Sequence, residues 1–133
     1  IQVEHPVTEM ITGIDLVALQ LRLAGGDALT EIDQGAVQVR GHAVECRIYA
    51  ENPAKMFLPS PGKLNHLRLP GATTQVRIDT GVREGDTITA YYDPMIAKLI
   101  CHGADRDAAL DLLQTALGDS AIDGIAHNID FLG

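Results

Sequence analysis

The residues with the most chemical potential stand together at the start of the chain. Within residues 1–9 an amide (Gln2), two carboxylates (Glu4 and Glu9) and an imidazole (His5) surround Pro6. Ile1-Gln2-Val3 alternates apolar and polar, which reads as the end of a strand. Pro6 has no N–H and biases His5 towards extended backbone, so the strand is expected to stop there. In that geometry Gln2 and Glu4 point to the same side. An amide beside a carboxylate at a strand end suits a small polar substrate: the carboxylate takes a proton and the amide orients the group that loses it. The competing reading is a solvated edge strand whose Gln and Glu do nothing, with His5 a packing or hydrogen-bonding residue.

The elements that must position these groups follow from periodicity. Thr8 to Ile11 reads as a short turn ending at Gly13. Asp15 reads as the N-cap of a core helix over residues 16–24, closed by Gly25-Gly26. Residues 27–41 read as turn and loop. From His42 to Ala50, Val44, Cys46 and Ile48 share one strand face and Glu45, Arg47 and Tyr49 the other. That second face either pairs its charges with a neighbouring element or is simply solvated. Pro53, Pro59, Pro61 and Gly62 mark a rigid irregular connection. Leu64, Leu67 and Leu69 mark a further strand. In the run 75–79, Val76 and Ile78 should face the core, with Gln75, Arg77 and Asp79 facing away. Met95 to Cys101 is an apolar run interrupted by Lys98, as expected of a strand buried on most sides. Asp105 or Asp107 caps the last clear helix, which Gly118 stops. Residues 121–123 read as a strand or turn, and Asn128 as the cap of a helix that has barely begun.

These elements predict an α+β fold, mainly antiparallel sheet flanked by helices. A chain of 133 residues suits one domain over 1–133, which reads as cut at both ends because it enters mid-strand and leaves at a helix start. The net charge of −8 and the scarcity of aromatics argue against nucleic acid. No apolar run is long enough to cross a bilayer, so no membrane association is expected. Cys46 and Cys101 lie in apolar runs without metal-like spacing and read as reduced core thiols of an intracellular protein. The five scattered histidines give no metal site.

The nine-residue run Ile1-Gln2-Val3-Glu4-His5-Pro6-Val7-Thr8-Glu9 resembles the signature of biotin carboxylases, in the ATP-grasp superfamily. Those are the biotin-carboxylating parts of acetyl-CoA, propionyl-CoA, methylcrotonyl-CoA and pyruvate carboxylases. The resemblance continues through residues 40–48 (RGHAVECRI), 57–62 (FLPSPG) and 91–99 (YYDPMIAKL), so it is to the C-terminal part of such an enzyme.

The resemblance implies a site. Biotin carboxylases activate bicarbonate with ATP as carboxyphosphate, and carboxylate biotin held on a lysine of a carrier domain. On that pattern Glu4 is the base for bicarbonate, Gln2 hydrogen-bonds bicarbonate through its amide, and Val3 through its backbone N–H. Arg77 matches an arginine that touches bicarbonate and the biotin ureido oxygen, where a fixed guanidinium stabilises enolate-like charge. The implied cofactors are biotin, ATP and Mg²⁺ or Mn²⁺. The implied partners are the biotin carboxyl carrier domain, the ATP-grasp part of the same enzyme, a carboxyltransferase subunit and a second copy in a homodimer. A dimer surface is expected around Cys101-His102-Gly103 and Arg106. The compartment implied is bacterial cytoplasm or mitochondrial matrix.

Departures from the pattern carry equal weight. The family's arginine before the position of Ile1, the metal ligands, the glycine-rich lid and the ATP-binding lysines are not among these residues. The chain alone is therefore expected to be inactive. A second reading is a non-catalytic dimerisation or carrier-docking module; the presence of Glu4 and Arg77 favours the catalytic one. The 50–53 and 125–128 variants lean towards a propionyl-CoA or methylcrotonyl-CoA type subunit.

Overall fold

The computed structural model describes residues 1–30 and 32–133; Glu31, within the predicted 27–41 loop, lies outside the described residues. Helices α1 (His5–Thr12) and α2 (Leu16–Ala24) come first, followed by a 3₁₀ turn at Gln34–Ala36. Strands β1 (His42–Tyr49), β2 (Glu51–Asn52), β3 (Leu58–Pro59), β4 (Gly62–Lys63), β5 (His66–Arg68), β6 (Val76–Thr80), β7 (Thr87–Ile88) and β8 (Met95–Gly103) follow. Helix α3 (Arg106–Gly118), strand β9 (Ala121–Asp123) and helix α4 (Ile129–Leu132) complete the chain.

The centre is an antiparallel sheet in the order β1-β8-β6, with small antiparallel pairs β2-β3, β4-β7 and β5-β9 around it. The α+β expectation holds. Its register decides which side chains share a face. Val44, Cys46, Ile48, Val76 and Ile78 lie on one side, as the alternation predicted, together with Leu99 and Cys101 of β8. Helix α3 packs on that side, burying Leu113, Ala116 and Leu117 in the same core as Leu99 and Cys101. Gly103 permits the close approach. A Cβ there would sit 2.5 Å from the Ala109 nitrogen, so α3 meets β8 backbone to backbone. Asp105 caps this helix by accepting from the Ala108 N–H at 2.9 Å.

The other side of the sheet carries two cross-strand rows. Arg47, Lys98 and Asp79 form one; Glu45, Ile100 and Arg77 form the next. It is covered by α1, whose Pro6 is fully buried.

Two expectations at the N-terminus are corrected. Residues 1–3 form no strand, and Pro6 opens a helix instead of ending an extended segment. In the first helical turn the N–H that proline lacks has no intrahelical partner to lose, so its fixed φ favours the helix. Glu4 is the N-cap residue, and Gln2 and Glu4 do not share a strand face. Gly13, at φ +75°, ends α1 in the left-handed conformation, its N–H bonded to the Glu9 carbonyl at 2.8 Å. The predicted turn over residues 8–11 is thus the body of α1.

Helix α2 has its predicted bounds and its Asp15 cap, which accepts from the Ala18 N–H at 2.8 Å. Yet no α2 residue is buried, and Leu21 is 70% exposed. An apolar stripe announces that a helix face packs on something; it does not say that the something lies within the same stretch of chain. Asn128 also departs from its expected role. Its side chain does not cap α4 but accepts from the Tyr49 N–H at 2.8 Å and donates to the Arg47 carbonyl at 3.0 Å, clipping α4 to β1.

Candidate functional site

The charged side of the sheet is where the sequence-predicted residues gather. Glu4, at the mouth of α1, accepts a hydrogen bond from Arg47 of β1. Val3 is held next to it, its carbonyl accepting from the Lys98 ammonium at 2.9 Å. Lys98 also pairs with Asp79 at 3.3 Å. Asp79 in turn receives Arg77 in a two-pronged contact, Nε at 2.8 Å and the terminal nitrogen at 3.0 Å. The other terminal nitrogen of Arg77 donates to Glu9 of α1. Glu9 is mostly buried, and its second oxygen accepts from the Leu16 N–H at 2.7 Å, so one carboxylate joins α1, α2 and β6.

A continuous path of polar contacts therefore runs from the Val3 carbonyl through Lys98 and Asp79 to Arg77, with Glu4 beside Val3 and bonded to Arg47. Glu4 and Arg77 lie on the same side of the sheet but do not touch; Arg47, Lys98 and Asp79 stand between them. Gln2 is exposed, and its carbonyl accepts from His5. Cys101 and Gly103, named with the expected dimer surface, are buried, whereas His102 and Arg106 stay accessible. Arg106 faces His42, and His102 reaches the Arg40 carbonyl at 2.8 Å.

Electrostatics follow from these contacts. The Glu4 carboxyl is held below its ordinary value by a hydrogen bond from its own backbone and then by Arg47, so it is an anion at neutral pH. Burial works against ionisation of Asp79, but Arg77 and Lys98 outweigh it and its carboxyl also titrates low. Arg77 is a permanent cation, its charged form strengthened chiefly by Asp79. Three bonds occupy Arg77, and a guanidinium has five N–H groups, so donors remain for an anionic oxygen. A recess of about 410 Å³ opens beside Asp79 and Lys98, bounded by Thr80, Asp93 and Met95. A second, about 220 Å³, lies between Arg77, Glu9 and Asp15.

Sequence reasoning assigned no site role to Arg47, Glu9, Asp79 or Lys98, although it named Glu9 beside Glu4 and allowed Arg47 a charged partner on a neighbouring element, which Glu4 is. Lys98 did give a signal, since a lone cation in a buried apolar run needs a partner.

Comparison with known proteins gives the family. Residues 45–133 match the model of the biotin carboxylase C-terminal domain. The chain belongs to the biotin carboxylase C-terminal domain family. Residues 1–32, which hold α1 and α2, match a different model, the ATP-binding domain of the carbamoyl-phosphate synthase L chain. Across 132 residues the chain is 51% identical to the mitochondrial methylcrotonoyl-CoA carboxylase subunit alpha of Mus musculus, covering 99% of this chain and 18% of that protein. It is 56% identical over 129 residues to the biotin carboxylase of Haemophilus influenzae, covering 97% of this chain and 28% of that one. A similar solved structure is the biotin carboxylase domain dimer of Hydrogenobacter thermophilus 2-oxoglutarate carboxylase with MgADP, ADP and bicarbonate. It superimposes with a TM-score of 0.95 at 42% identity over 99% of this chain and 29% of that chain. The chain thus spans less than a third of these relatives. The division between 1–32 and 45–133 spans the loop before β1 and the first residues of that strand, and α1 carries Glu4 from one matched region onto the sheet of the other.

Proposed function

We propose that this chain is the C-terminal portion of an ATP-dependent biotin carboxylase, and that Glu4 and Arg77 act on one bicarbonate. In this reading Glu4 takes the proton of bicarbonate. A carboxylate that titrates low is a weak base, so the substrate must be pressed against it, and positioning supplies the missing driving force. The Gln2 amide and the Val3 backbone N–H hold the anion. Arg77 supplies the positive charge that neutralises oxygen anions, first of bicarbonate and then of the ureido group of carrier-held biotin. ATP with Mg²⁺ or Mn²⁺, when bound, supplies the activation of bicarbonate; the groups that would hold them belong to the ATP-grasp part of the whole enzyme.

The observation that carries this reading is the path of contacts from the Val3 carbonyl, next to Glu4, through Lys98 and Asp79 to Arg77. It gives both residues a fixed place on one surface. The exposed apolar side of α2 is assigned to packing against the ATP-grasp part. The carrier domain delivers biotin from outside, a carboxyltransferase subunit receives the product, and the whole protein is a homodimer with His102 and Arg106 near the subunit contact. Its acceptor is of the methylcrotonyl-CoA or propionyl-CoA class, in mitochondrial matrix or bacterial cytoplasm. No helix among the described residues is long and apolar enough to cross a membrane.

The test is bicarbonate-dependent ATP hydrolysis and biotin carboxylation by the full-length protein. Glu4→Gln is expected to lower both by about 10²-fold or more, the usual weight of a general base. Retention of wild-type rates in Glu4→Gln contradicts the assignment, as does measurable activity of the 133 residues alone.

A further inference from the structure

Glu45 is the anomaly of the charged face. Both of its carboxylate oxygens are buried, and among the described residues neither has a hydrogen-bond partner. Every other carboxylate on this face is provided for: Glu4 by Arg47, Glu9 by Arg77 and the Leu16 N–H, Asp79 by Arg77 and Lys98. A buried acid without donors is costly to the fold, and such exceptions concentrate where function requires them.

The register shows what Glu45 is near. It shares a row with Ile100 and Arg77, and the adjacent row holds Arg47, Lys98 and Asp79. Burial favours its neutral form; Lys98 and Arg47 favour the anion, while Glu4 and Asp79 oppose it. Tyr49, which is hydrogen-bonded to Arg47, Glu9 and His5 on α1, and His102 farther along β8 are the other titratable groups named on this side. Their charges set a problem for the proposed chemistry. Arg47 and Lys98 both draw the Glu4 proton off, which weakens Glu4 as a base.

We infer that Glu45 is a positioning residue for Glu4: its buried carboxylate, when ionised, offsets Arg47 and Lys98 and so raises the hold of Glu4 on a proton. This rests on the reading of Glu4 as the bicarbonate base. Glu45 acts by positioning and not by catalysis, because both of its carboxylate oxygens are buried. Its effect is electrostatic and acts across the Glu4–Arg47 contact. Protonation of Glu45 as pH falls removes the support. The acid limb of the rate profile therefore reports Glu45, whose carboxyl titrates above its ordinary value, before it reports Glu4, whose carboxyl titrates below it.

The experiment uses the full-length protein and three variants, Glu45→Gln, Glu45→Asp and Glu4→Gln. Each is measured for thermal unfolding and for bicarbonate-dependent ATP hydrolysis against pH. Glu45→Gln is expected to unfold at the same temperature or higher, because it removes a buried unpaired charge. Its plateau rate should fall about tenfold, with the acid limb moved down by up to about one pH unit, the equivalence between proton affinity and rate that a Brønsted relation allows. Glu45→Asp should recover part of the limb position. A Glu45→Gln protein that is less stable but keeps the wild-type limb and rate overturns the inference, since that is the signature of a purely structural residue. Glu4→Gln separates the two levels. If it abolishes the acid limb while Glu45→Gln leaves the limb unmoved, only the Glu45 inference falls; if Glu4→Gln keeps the limb, both readings fall.

Discussion

Arg77 donates to Glu9 across 68 positions of sequence, and this bond fastens the helix behind Glu4 to the strand that carries Arg77. The two-pronged Arg77–Asp79 contact fixes the plane of the guanidinium; the Glu9 contact fixes where α1 lies over it. Glu9→Gln keeps the shape and removes the charge. The expected result is a folded full-length protein whose biotin carboxylation is slowed about tenfold, since small misplacements of reacting groups carry penalties of this order or larger. Steady-state kinetics in biotin and bicarbonate check it.

Arg77→Lys is expected to behave almost like Arg77→Ala. An ammonium has no planar fork and cannot meet Asp79 with two parallel bonds while also reaching Glu9. Both variants should lose about 10²-fold or more in biotin carboxylation rate, the scale for removing an oxyanion-stabilising group. Recovery of wild-type rates by lysine contradicts a geometric role for the guanidinium.

Much of this surface is legible in the sequence. Period-two alternation placed Arg77 and Asp79 together, Glu45 and Arg47 together, and both pairs opposite the core face. What alternation cannot give is which strands lie side by side. Arg47, Lys98 and Asp79 became a row only through the β1-β8-β6 register, because cross-strand partners are set by topology and lie dozens of residues apart. The N-terminal misreading has a local cause: proline stops a strand and starts a helix equally well, and three residues are too few to show a period. Helix α2 has the amphipathic pattern its sequence shows but no buried residue, since periodicity reports a face and not its cover.

Asn128 ties α4 to β1 through two half-buried backbone groups, the Tyr49 N–H and the Arg47 carbonyl. Asn128→Ala leaves both without their partner. The expected loss is about 2 kcal/mol or more of stability, from the desolvation cost of unpaired backbone groups. Asn128→Asp preserves one bond and should lose less. Thermal unfolding of the two variants orders them.

Cys46 and Cys101 lie diagonally across β1 and β8 as free, buried thiols, with titration pushed up by burial to about 12 and about 11. Above pH 9, near the ordinary thiol value, the unfolded chain loses these protons while the folded chain keeps them. The folded state then binds more protons, so this contribution makes stability fall as pH rises from about 9 towards 11–12. At pH 8 both thiols should resist a disulfide reagent in native protein and react promptly in denaturant. Rapid reaction in the native state contradicts the packing of β1 on β8.

The central claim is that Glu4 and Arg77 serve one bound anion, and a double-mutant cycle tests it most directly. Biotin carboxylation by the full-length protein is measured for Glu4→Gln, Arg77→Ala and the double variant. Each single change is expected to lower kcat/KM by about 10²-fold or more, and the double variant to be little worse than the poorer single one, because residues that act as a unit are non-additive. Losses that multiply fully, or either single variant retaining wild-type kcat/KM, would contradict the shared site.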